Sequence, residues 1–419
     1  MSPRPVLRLG GASPGALALP PAAAEPGLMY APRGVWTDGE RVIVADTGNH
    51  RVLLWRSWPT QDGAPAHVVL GQPDLFSEGP AAGGTDRRRG LNLPTGVDVV
   101  DGDLVVADAW HHRLLRWDGV PDEDFAAPAQ VLGQPDLESV EPNRGGDPGA
   151  TSFYWPFGFG VVAGTFWVAD TGNRRVLGWR GTAFPEHERP ADIVLGQSSA
   201  TSRDDNRGEV LGPAGFRWPH AVTGDERTLY VADAGDHRVV GFTPPPHADR
   251  EPDLVLGQPD FATMAEFKNR PQGASRMRFP YAVALHGGSL VVADTSNNRV
   301  LLWDDAPRTG AGAPADTVLA QPDMDANGEN RWDAVLDDSL CWPYGLSVAG
   351  ACSRSPTRAT IGSWSGTSGE GAAVGARHRR RAGRRLPPVR LRARHLARPR
   401  RPRGQRRPRG LRRDRGRRD

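Results

Sequence analysis

The sequence predicts an all-β fold: a β-propeller of four-stranded antiparallel blades, five intact and a sixth disrupted. Three observations predict it. The string Val-Ala-Asp recurs with its aspartate at Asp46, Asp108, Asp170, Asp233 and Asp294, at intervals of 61 to 63 residues. Glycine and proline together supply 90 of 419 residues, which suits many short elements joined by turns and argues against long helices. Each interval also holds four short β-branched runs, too few to bury both faces alone, so the units must stack on one another.

The elements of the second unit read in order. Gly96–Val100 is a short apolar strand, and Asp101-Gly102 is a turn signal. Leu104–Asp108 is a second strand, Arg113–Trp117 a third and Ala129–Gly133 a fourth. Five residues after each repeated aspartate stands an arginine: Arg51, Arg113, Arg175, Arg238 and Arg299. These pairs flank the turn between second and third strands. Their expected role is a charge-assisted bond across that hairpin, as from Arg51 to Asp46, rather than five copies of an acid–base site.

Asp46-Thr47-Gly48-Asn49-His50-Arg51-Val52-Leu53 and Asp170-Thr171-Gly172-Asn173-Arg174-Arg175-Val176-Leu177 resemble the NHL-repeat family. The resemblance runs in register over residues 34 to 350. It implies a bacterial six-bladed β-propeller that serves as a binding platform, and it implies no single activity.

The two ends are read as parts of a sixth blade. Pro5–Gly10 aligns with the fourth strand that precedes each rim loop, so the chain opens with a lone fourth strand. Trp342–Gly350 is a sixth first strand. A Val-Ala-Asp strand does not follow it. Back-translation of residues 352–366 in the neighbouring frame, with permitted wobble bases, spells Leu-Ala-Val-Ala-Asp-Ser-Gly-Asn-Asn-Arg-Val-Val-Val-Trp, with its aspartate codon ending in Thr357. The expectation is therefore a propeller over residues 1–350 and an out-of-frame, disordered, Arg-rich tail over 351–419 that does not complete the ring.

Charge follows the same division. Residues 1–350 carry 29 basic and 46 acidic groups, whereas residues 351–419 carry 23 arginines and three acids. Nucleic-acid binding is not expected of the acidic body, since that function needs a basic face. No apolar run is long enough for a membrane span, and the start of the chain lacks a secretory pattern. The expected location is the cytoplasm, as a monomer. Two cysteines exclude a disulfide framework and a Cys-rich zinc site, so neither cofactor nor metal is expected.

The candidate site lies where the first strands begin. Each opens with Pro-x-(Gly/Ala), and the x residues differ from blade to blade: Arg33, Thr95, Phe157, His220, Tyr281 and Tyr344. A position that varies inside a repeat escapes the shared folding constraint. These six are the candidate ligand-binding residues, expected to point at one axis at the channel rim and to receive a small-molecule ligand or a protein partner. Trp155, Trp218 and Trp342 precede the motif and read as wedges between blades. The competing function is a propeller-type hydrolase or lyase at the channel mouth. An enzymatic branch resembling this family uses zinc-binding histidines from several blades, and only His220 of this chain falls on the ring. No catalytic residue is assigned.

Overall fold

The second strand of each unit carries a continuous apolar run up to its closing aspartate, because both of its faces meet a neighbouring blade. Val42–Asp46 is buried at all five positions, and Leu229–Asp233 likewise. The computed structural model describes residues 5–11, 23–267, 270–333, 335–336, 338–349, 358–365 and 370–377. All of them fall inside one compact unit that runs from Met1 to Arg379.

Among the described residues, five sheets follow the repeat. Blade one comprises Gly34–Thr37, Val42–Asp46, Arg51–Trp55 and Val68–Leu70, each antiparallel to the next. Blade two comprises Gly96–Val100, Asp103–Asp108, Arg113–Trp117 and Gln130–Leu132. Blade three runs from Pro156 to Leu195, blade four from Pro219 to Leu256 and blade five from Pro280 to Leu319. A two-residue strand, Gly310–Ala311, pairs parallel with the outer strand of blade four and covers its edge. The helical pieces are single turns of three to five residues. Among the described residues no helix is long and apolar enough to cross a membrane.

The core is a set of layers between blades. Ile43, Val52 and Leu54 of blade one pack with Val97, Leu104 and Val106 of blade two. Each such side chain taken fully from water contributes about 1.5–3 kcal/mol.

The aspartate–arginine pairs are the fixed points of this architecture. All five are fully buried ion pairs, with Nε to Oδ2 distances between 2.7 and 3.0 Å. The arginine fork also holds loops on both sides. In blade one Arg51 donates to the carbonyls of Leu75, Glu25 and Leu28. The second oxygen of Asp46 accepts from the Tyr30 N–H. The motif therefore ties the loop leaving one blade to the loop reaching the next.

Between the paired residues the chain makes one 3-10 turn and a left-handed residue: His50, His112, Arg174, His237 or Asn298, with φ of 53 to 56°. Three of these are the histidines at a shared turn position. Each accepts, through Nδ1, the backbone N–H that opens the following blade: Leu93, Trp155 and Phe279, at 3.1–3.2 Å. Asn298 Oδ1 accepts the Trp342 N–H in the same way. Trp155 also stacks on Trp110 of the preceding blade, so this tryptophan is the inter-blade wedge expected of it.

A further four-stranded sheet joins the two ends of the chain. Its order is Pro5–Leu9, Glu370–Arg377, Arg358–Ser365 and Pro343–Ala349, the last being innermost. Leu7 and Leu9 are buried against Val35, Val42 and Trp55 of blade one. Two segments beyond residue 350, Arg358–Ser365 and Glu370–Arg377, lie between Pro5–Leu9 and Pro343–Ala349 in this sheet. The register nevertheless departs from the repeat. In blades three to five the opening proline pairs with a residue 14 positions on, as Pro280 with Asp294. Pro343 pairs with Ser363 instead, and this sheet has no aspartate–arginine pair at that position. Residues 351–357, 366–369 and 378–419 of the expected tail lie outside the described residues.

Candidate functional site

The inner strands approach one another so closely that the residue after x must be small. A Cβ on Gly34 would lie 2.3 Å from the Thr95 carbonyl oxygen, and one on Gly345 would lie 2.3 Å from that of Arg33. The second contact brings the inner strand of the end-joining sheet against blade one. The Thr37 N–H donates to Ser347 Oγ at 3.1 Å across the same junction.

The x residues are placed by a backbone irregularity. In blades four and five and in the end-joining sheet, one extra residue interrupts the pairing after the opening proline: His220, Tyr281 and Tyr344. In blade three the irregularity spans Phe157 and Gly158. A bulged residue drops out of the in–out alternation and its side chain is re-aimed. Here it turns toward the axis.

All six x residues line one cavity of about 300 Å³ in the central channel. Five of them form a closed ring. The Arg33 guanidinium lies 4.9 Å from the Tyr344 ring centre and 5.7 Å from that of Phe157. Phe157 meets His220 at 4.4 Å, His220 meets Tyr281 edge-on at 4.3 Å, and Tyr281 meets Tyr344 at 4.9 Å. Thr95 is buried, and its hydroxyl donates to the Phe157 carbonyl at 2.9 Å, bridging blades two and three rather than facing the ring.

The ring's chemistry is defined by its hydrogen bonds. Arg33 Nε is buried and no group bonds to it. Among the described residues this cation meets the π faces of Phe157 and Tyr344. His220 Nδ1 stands 2.8 Å from the Trp218 carbonyl oxygen. A carbonyl can only accept, so Nδ1 carries the proton and Nε2 is a bare acceptor. Burial pushes the His220 imidazole down to about 3, and the Arg33 charge acts in the same direction. Burial raises Tyr281 to about 12 and raises Tyr344 as well, so both keep their hydroxyl protons at neutral pH.

Sequence reasoning missed two channel residues. Asp98 and Trp36 lie three positions beyond Thr95 and Arg33 and line the same cavity. Burial raises the Asp98 carboxyl to about 6, against the Val99 N–H and the Trp36 side chain, which pull it down. The signal was the same blade-by-blade comparison, applied one step further along the strand. Gly160, Thr223, Ala284 and Ser347 occupy that level in the other blades.

The long rim loops are pinned rather than free. Gln72, Gln134, Gln197, Gln258 and Gln321 are buried, and each donates to a turn carbonyl and to a loop carbonyl, as Gln72 does to His50 and Gly79. Among the described residues no group of three or more metal-ligating side chains comes together.

Fold and site together define a repeat-built β-propeller whose inner strands bring five side chains, Arg33, Phe157, His220, Tyr281 and Tyr344, together in one channel. Residues 91–117 match the family model of the NHL repeat. Over 214 residues the chain is 26% identical to NHL repeat-containing protein 2 of Gallus gallus, covering 47% of this chain and 27% of that protein. The chain spans about a quarter of the length of that curated relative. Among solved structures it is similar to the PQQ-bound aldose sugar dehydrogenase of Streptomyces coelicolor, at 14% identity and a TM-score of 0.43, covering 89% of this chain and 99% of that one. It is also similar to a chain of the nidogen/laminin complex, at 14% identity and a TM-score of 0.37, covering 66% and 76%.

Proposed function

We propose that this chain is a non-catalytic binding platform that seats a small ligand, or a segment of a protein partner, at the channel mouth. The observation that carries the reading is the convergence of Arg33, Phe157, His220, Tyr281 and Tyr344 on one axis, with a guanidinium that no carboxylate neutralises. An uncompensated cation in a half-buried ring costs stability unless something fills the place opposite it. The test is a fragment screen by thermal shift against the parent protein and against Arg33→Ala and His220→Ala. Hits that vanish in both variants support the reading, and hits indifferent to both refute it.

The ring itself is proposed to have six blades, the sixth closed by the N-terminal strand. We place its action in the cytoplasm, as a monomer, which fractionation and light scattering test. The chain beyond residue 350 is proposed to be read in a shifted frame. Supporting this, the repeat spacing puts the missing aspartate at position 357, whereas the present frame brings Ser363 opposite Pro343. Resequencing the gene decides it: a confirmed frame with no alternate Val-Ala-Asp overturns the proposal.

A further inference from the structure

The ligand class is written in the donors and acceptors that the ring leaves open. Arg33 offers a planar fork of N–H donors with no ion-pair partner among the described residues, and its Nε is buried and unbonded; the one carboxyl that lines the cavity, Asp98, stands three positions beyond Thr95 on the inner strand of blade two. A planar two-oxygen anion matches that fork. A phosphate dianion calls for more positive charge than this one cation, since the other ring members are neutral.

His220 adds a second requirement. Its Nδ1–H is committed to the Trp218 carbonyl, so the free nitrogen, Nε2, can only accept. A ligand beside it must present a donor. That donor is a neutral hydroxyl rather than an ammonium, because the Arg33 charge is close enough to depress the His220 imidazole and would repel a second cation equally. The Tyr281 and Tyr344 hydroxyls are both protonated and make no hydrogen bond among the described residues, so they complete a polar collar able to donate to the anion. A cavity of about 300 Å³ sets the size at a few carbon atoms.

Resting on the reading of the channel mouth as a binding site, we infer that its ligand is a small hydroxycarboxylate. Its carboxylate lies on Arg33 and its hydroxyl donates to His220 Nε2.

The experiment is calorimetric titration of the whole chain with matched probes: lactate and malate, their deoxy partners propionate and succinate, inorganic phosphate, and glycerol. The hydroxy acids should bind at least tenfold more tightly than the deoxy acids, and phosphate and glycerol should bind more weakly still. Arg33→Met keeps the aliphatic stem and should lose at least tenfold for every acid. His220→Phe keeps the ring stack but removes the acceptor. It should abolish the preference for the hydroxyl while leaving deoxy-acid affinity within twofold. Equal affinity for hydroxy and deoxy acids, tighter binding of phosphate, or indifference to Arg33→Met overturns the inference. A parallel screen of chemically diverse fragments separates the two levels. An Arg33-dependent hit of another class sinks the hydroxycarboxylate and keeps the binding site, whereas no Arg33-dependent hit of any class sinks both.

Discussion

Replacing Arg175 with alanine removes the centre of the blade-three clamp. The side chain donates to Asp170 at 2.7 Å, to the Gly149 and Ser152 carbonyls at 2.9 and 3.0 Å, and to the Ala200 carbonyl. Both ion-pair partners are fully buried. Removing one partner of such a pair costs about 3–5 kcal/mol, because the other charge stays buried and uncompensated. Three carbonyls lose donors as well, at about 1–3 kcal/mol each, although water entering the vacated space recovers part of that. The expected loss is about 3–5 kcal/mol, against a total of about 5–15 for a typical domain. Burial already raises the Asp170 carboxyl, and the Arg175 charge is the largest influence opposing it. Without that charge the folded-state value rises further above the unfolded one. The folded variant then binds a proton that the unfolded chain has released, so its stability falls as pH rises above about 3.8. The deficit should therefore shrink between pH 8 and pH 5. Urea unfolding followed by tryptophan fluorescence at both pH values reads the effect. Asp170→Asn combined with Arg175→Ala should cost less than the two single changes added together. A loss below about 1 kcal/mol, or strict additivity in the double variant, refutes the clamp as the fixed point of the blade.

Two further outcomes are expected. Burial lowers the His112 and His237 imidazoles to about 4, and both must stay neutral to accept a backbone N–H through Nδ1. The unfolded chain protonates them from about 6.5, so stability should be full above that pH and decline as pH falls toward 4. His112→Asn copies the Asn298 solution of blade five and should flatten that decline in an acid titration of the melting temperature. Asp236 stands where blades one, three and five have asparagine, and burial beside Asp233 raises its carboxyl to about 8. Its folded-state value exceeds the unfolded one, so it withdraws stability as pH climbs from about 4 to 8. Asp236→Asn should raise the melting temperature at pH 8 and leave it almost unchanged at pH 4.

The clamp, the strand order and the channel position of the x residues were legible because each repeats in register and each repetition checks the others. Asp108 with Arg113 could be trusted because Asp46 with Arg51 makes the same bond. Features that rest on a single spatial neighbour were not legible. The shared position of His50, His112 and His237 was visible, but their donor, a backbone N–H some 43 residues on, appears only when two blades are stacked. The glycine after x was visible too, whereas its cause, the carbonyl of the neighbouring inner strand, belongs to packing.

The bulge in the inner strands of blades four and five and of the end-joining sheet has a practical consequence for engineering. Because His220, Tyr281 and Tyr344 each stand outside the ladder, the hydrogen-bonded rungs on either side close without reference to the side chain they carry. Those positions and Phe157 can be randomised together as a combinatorial library, with the blades as an invariant frame. Selection on such a library would then report ligand preference almost free of folding loss.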